Sequence, residues 1–95
     1  MHPPPSADPG PHDSPVTRGQ IAAFAAAAGA GELRLYHTSP YVVLLAEHPI
    51  GEERAAALGE VIGAILRISI EVRPLATLPA GRREQAWAVA RPWAP

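Results

Sequence analysis

The sequence predicts a small α/β (α+β) domain, a three-stranded mixed sheet with helices packed on it. Three observations carry that expectation. Apolar residues recur at helical spacing in separate stretches. The stretches between them alternate at the strand period or run continuously apolar. Glycine and proline stand at nearly every boundary. In chain order the segments read helix, strand, strand, helix, strand, helix, which suits helices layered on a sheet.

The first 15 residues hold half of the 12 prolines, with Asp8, Asp13, His2 and His12, and no large apolar side chain beyond Met1. Such a segment has nothing to bury against the entropy of ordering, so residues 1–15 read as a disordered proline-rich tail. Residues 16–95 read as the folded domain. His2 and His12 fit two solvated histidines in the tail better than a metal pair.

The first helix is expected to start at Thr17, where Thr17-Arg18-Gly19-Gln20 has the form of a capping box. Ile21, Phe24, Ala25 and Ala28 then share one face, and Gly29 and Gly31 supply a stop. Glu32 to His37 alternates polar and apolar, as a half-buried strand does. Tyr41 to Ala46 is continuously apolar, as a central strand buried on both faces would be. Only Thr38, Ser39 and Pro40 separate the two, so they form an antiparallel hairpin.

In the second helix Leu58, Val61, Ile62, Ile65 and Leu66 make an apolar stripe. Glu52 and Glu53 in its first turn and Arg67 near its end suit the helix dipole. Ala55, Gly59 and Gly63 form a ridge of small residues four apart. Close approach to the sheet or to a second subunit would explain that ridge. Ile68 to Val72 alternates as a third strand, closed by Arg73-Pro74. A last helix runs from about Ala80 to Ala90, with Ala86, Trp87 and Ala90 inward. Pro92 ends it, and Trp93 packs back as a cap.

Composition narrows the function. The 95 residues make one domain, and without cysteine there is no disulfide framework, thiolate zinc site or cysteine nucleophile. A net charge of -1 gives no electrostatic footprint for nucleic acid. Ile21 to Ala28, the longest apolar stretch, falls far short of the roughly 20 residues that span a bilayer. The start, MHPPPSADPG, has neither the basic nor the apolar region of a secretory signal. A cytoplasmic chain without membrane or nucleic-acid partners is the expectation. Charged residues make up only 18% against the usual share of about 25%, so apolar surface is left for a protein partner.

No G-x-S-x-G nucleophile turn, P-loop or G-x-G-x-x-G motif occurs; Gly29-Ala30-Gly31 follows a helix and is a cap. His37 and His48 flank the hairpin and could lie on one edge as a metal or general-base pair, or be ordinary turn histidines. Arg82 and Arg83 could grip a phosphate, or be surface arginines near a helix start.

Leu78-Pro79 followed by Arg83-Glu84, Trp87, Ala90, Pro92 and Trp93 resembles the closing helix of the minimal nucleotidyltransferase domains of prokaryotes, small members of the polymerase-β-like superfamily. The Leu58-Gly59-Glu60 run and Ile70-Glu71-Val72 are similar to that family's central segment, and Ile21, Phe24, Gly29, Leu33 and Leu35 fit its start. The likeness covers about Gln20 to Trp93 and implies a nucleotidyltransferase-like fold. The family's chemistry uses a Gly-Ser that opens a short helix after the first strand, then an Asp-x-Asp pair on the second. Glycine and a helix N-terminus cradle a triphosphate, and the carboxylates hold two magnesium ions.

Here His37 and Thr38 stand at the Gly-Ser positions, and Tyr41 and Val43 at the Asp-x-Asp positions. Only Glu71 keeps the family's third acid, and one carboxylate is no magnesium site. The resemblance with these departures implies a non-catalytic domain that works through protein contacts, antitoxin-like or in assembly. Its partner would be a HEPN-type toxin or a second copy of the chain, with Gly59, Gly63, Trp87 and Trp93 as interface candidates and no cofactor. The alternative is a magnesium- and ATP-dependent nucleotidyltransferase, or a nucleotide-sensing module, binding at His37, Thr38 and Glu71.

Overall fold

The computed structural model describes residues 14–94. The expected proline-rich tail therefore lies outside the described residues except for Ser14 and Pro15, and these two open the first helix. Helix α1 runs Pro15–Ala27. Its cap is Ser14, whose Oγ accepts the Thr17 N–H at 3.1 Å, three residues before the expected capping box. Pro15 at the first helical position explains the shift, since it brings no N–H to satisfy and a pre-set φ. Ile21 and Ala25 are buried, whereas Phe24 stays about half exposed.

Strands β1 (Leu33–His37) and β2 (Val42–Ala46) pair antiparallel as the expected hairpin. Helix α2 (Glu52–Leu66) crosses over to β3 (Ile70–Pro74), which lies parallel to β2. A 3₁₀ turn at Leu75–Thr77 leads to α3 (Ala80–Val89). Arg91–Pro92 then forms β4, antiparallel to β1. The mixed sheet thus has four strands in the order β3-β2-β1-β4, one more than the sequence predicted. The extra strand arises because Ala90 leaves α3 extended and returns the chain to β1, where the Trp93 N–H bonds the Leu33 carbonyl at 3.0 Å. Proline is tolerated in it because β4 is an edge.

The sheet separates two cores. On one face Leu33, Leu44, Ala46 and Val72 pack with Ile21 and Ala25 of α1, Leu58, Ile62 and Leu66 of α2, and Trp93. On the other, Leu45 packs with Ala86 and Ala90, flanked by Tyr36 and Trp87. Successive residues of β2 feed opposite cores, which explains its unbroken apolar run. Leu33, Leu44, Leu45 and Ile62 are fully buried, each contributing about 1.5–3 kcal/mol over exposure.

The buried line of α2 differs from the expected stripe. Ala55, Leu58, Gly59, Ile62 and Leu66 are buried, while Val61 and Ile65 are exposed. The glycines cause this rotation, because a Cβ on Gly59 would stand 3.0 Å from the Ile70 carbonyl oxygen and one on Gly63 2.7 Å from that of Ile68. The helix therefore settles on β3 along its glycine line. Arg67 caps it in the left-handed region, at φ 61°, with its N–H on the Gly63 carbonyl. Among the described residues no helix is long and apolar enough to cross a membrane.

Candidate functional site

The strand register builds one row across the sheet. His37 stands opposite Val43, and Val43 opposite Glu71. Two of the three residues proposed for nucleotide binding therefore share a level, with Val43 between them. Thr38 follows in the hairpin turn. Strands lie about 4.8 Å apart, so the His37 and Glu71 backbones are about 10 Å from one another. The row does not converge on one cavity. His37 and Thr38 line a cavity of about 390 Å³ with Tyr36, Ser39, Val89 and Arg91. Glu71 lines a different one.

Glu71 is held by its neighbour two residues on. Its Oε2 accepts from Arg73 Nη2 at 2.7 Å and from Nε at 3.0 Å, in a pair that is partly exposed on both sides. Such a pair adds little stability, but it does occupy the carboxylate with a guanidinium. A magnesium site asks for several oxygens converging on one point. The two positions that the resemblance matches to Asp-x-Asp hold the partly exposed Tyr41 and the buried Val43 side chain. The donor set therefore does not fit two magnesium ions, and no transfer step can be derived through them. Among the described residues no group of three or more histidines or acids comes together.

His37 and His48 do not share an edge. His37 lies at the turn end of the hairpin, while the His48 N–H bonds the Ala30 carbonyl at the opposite end. Arg83 is engaged in the fold, donating to the Leu78 and Ala76 carbonyls at 2.9 and 2.8 Å. That ties the 3₁₀ turn to α3.

The four interface candidates have mixed placements. Trp93 is 3% exposed, with the Arg18 guanidinium 4.3 Å from its ring centroid. Its surface is spent inside this chain, consistent with the expected packing back. Trp87 is half-buried against the smaller core, and Arg34 stacks on it at 4.2 Å while donating to its carbonyl at 2.7 Å. Gly59 and Gly63 meet this chain's own Ile68–Val72 backbone, so the small-residue ridge serves close approach to the sheet.

The same glycines line the wall of a larger cleft, about 780 Å³, between α2 and β3. Glu52 and Glu60 of α2 and Glu71 and Arg73 of β3 supply its charges. Sequence reasoning missed this cleft, since α2 and β3 meet along it only in the folded chain. The available signal was the pairing of a glycine-lined helix with a strand that ends in proline. No protein-family model, curated protein or solved structure matches the chain, so the resemblance to minimal nucleotidyltransferases rests on the quoted residues alone.

Proposed function

We propose that the chain is a non-catalytic domain of nucleotidyltransferase-like fold that works through contacts with another protein, in an antitoxin-like or assembly role. The observation that carries this reading is the sheet-end row. Where the resembled family needs paired carboxylates, this chain has Tyr41 and Val43, and its one acid there, Glu71, is bound to Arg73. The order helix, strand, turn, strand, helix, strand and helix, closed by a short fourth strand, supports the fold part of the reading. The exposed Phe24, Val61, Ile65 and Ile68 support the contact part, as apolar surface on a small domain.

By the family resemblance, the partner is a small helical protein of the HEPN toxin type encoded beside this chain. Mixing the two purified proteins and following mass by light scattering tests this. The expected result is a stable complex, with relief of toxicity when both are expressed together. A monodisperse monomer that neither binds the neighbour nor relieves its toxicity would contradict it. The nucleotide-sensing reading has one observation in its favour, the cavity beside His37 and Thr38. It separates from the leading one by magnesium-dependent ATP binding there without turnover.

A further inference from the structure

The outer face of α1, continued by the flank of α2 beside it, is a surface that neither the sheet-end row nor the cleft uses. We propose that two copies of the chain pack on one another through this face, their α1 helices antiparallel about a two-fold axis. This self-association goes beyond the contact with a neighbouring protein and does not depend on it.

The first argument is the charge that α1 lacks. Val16, Gln20, Ala23, Phe24 and Ala27 are exposed along it, and none of its exposed residues is ionisable. Its one charge, Arg18, turns to another flank, with the guanidinium 4.3 Å from the Trp93 ring centroid. A surface helix ordinarily carries charge opposite its buried stripe, and one that is apolar all round is covered. At 13 residues α1 is too short to cross a membrane. Its outer side also lacks the basic residues that hold a helix to a lipid surface. The cover is therefore protein, and it is uncharged where it meets α1, since a charge buried there would find no partner.

The flank of α2 extends the face. Arg54 donates to the Ala28 carbonyl at 3.3 Å, so the start of α2 lies beside the end of α1. Val61 and Ile65 follow Arg54 at helical spacing on the same side, and with Phe24 they are 40–48% exposed. Both helices pack on one face of the sheet, α1 leading into β1 and α2 leaving β2. Because β1 and β2 are antiparallel, α1 and α2 run in opposite directions.

Charge complementarity selects a second copy as the cover. On the outward side of α2, Glu53 and Glu60 precede Arg67, and no ion pair among the described residues engages any of the three. A two-fold axis between Gln20 and Ala23 lies at about the level of Val61 and makes the two α2 helices antiparallel as well. Arg67 of one copy then stands about 9 Å from the axis, between Glu60 of the other at about 2 Å and Glu53 at about 12 Å. On α1 the same axis lays Val16 of each copy over Ala27 of the other, brings the Ala23 methyls together and pairs the two Gln20 amides. The antiparallel α1 dipoles attract. The face is about 20 Å long and two helices wide, roughly half of the ~800 Å² per partner of a standard interface, so the dimer is weak and concentration-dependent.

The test is sedimentation equilibrium of the full chain from about 10 µM to about 1 mM, where the mass is expected to rise toward twice that of the chain. The sequence has no cysteine. Ala23→Cys, at the axis, is therefore expected to give a disulfide-linked dimer under mild oxidation. Gly81→Cys, in α3 with nothing within 4 Å of an added Cβ, is not. Ala23→Glu, exposed and harmless to the fold, sets two carboxylates together and weakens association at least about ten-fold without moving the unfolding midpoint. Glu53→Arg weakens it several-fold, and adding Arg67→Glu restores it. A chain that stays monomeric at the highest concentration, equal crosslinking from positions 23 and 81, or association that Ala23→Glu leaves intact would each overturn the proposal. Those outcomes leave the protein-contact reading standing, because that reading fails only with the neighbouring protein.

Discussion

A methyl group added at Gly63 would stand 2.7 Å from the Ile68 carbonyl oxygen, and one added at Gly59 3.0 Å from that of Ile70. Both obstacles are backbone, which cannot swing aside as a side chain can. Helix propensity alone favours alanine over glycine by about 1 kcal/mol, while overpacking costs about 1–3 kcal/mol. Gly63→Ala is therefore expected to destabilise the chain by about 1–2 kcal/mol, because the Gly63 carbonyl also accepts the capping Arg67 and Ile68 N–H groups. Gly19→Ala, in α1 with nothing within 4 Å of the new methyl, should stabilise by about 1 kcal/mol. Denaturant midpoints of the two variants check this, and equal signs would contradict it. The ridge of small residues is plain in the sequence, but spacing cannot say whether a strand of the same chain or another molecule lies against it.

At the scale of elements, β2 was legible because a strand buried on both faces has to be apolar throughout, and Val42 to Ala46 is. The hairpin was legible because three residues leave no other connection. Strand β4 was not, since Arg91–Pro92 carries no periodicity and forms only because the chain turns back on β1 after α3. The face of α2 was misplaced by Val61 and Ile65, whose hydrophobicity says nothing of how close glycine lets a helix come. The direction of the β3 amides was legible only with the register in hand. Pro74, opposite Ala46, has no N–H for β2, so Glu71 and Arg73 turn to β2 and Val72 turns to Gly59 of α2. It carries a prediction: the Val72 amide, turned away from β2, should exchange with solvent faster than those of Glu71 and Arg73 by roughly an order of magnitude or more. Hydrogen exchange followed by NMR checks it, and equal protection along β3 would contradict it.

At the scale of the whole molecule, one sheet with a core on each face places two different surfaces at its margin. The sheet end brings His37 into line with Glu71, yet puts Val43 between them and Arg73 on the acid. The margin beside α2 is a cleft lined by small residues, by Glu52 and Glu60 of α2, and by Glu71 and Arg73 of β3. Of the candidate site, the absence of acids was readable from the residue types at 41 and 43. The cleft was not, because it is made by two segments that meet only after the crossover. The central proposal is that this chain works by contact without nucleotide chemistry. The most direct measurement is an NMR titration of the labelled chain with Mg-ATP. The account predicts that the amides of His37, Thr38 and Glu71 stay where they are; saturable, magnesium-dependent shifts at those three residues would contradict it.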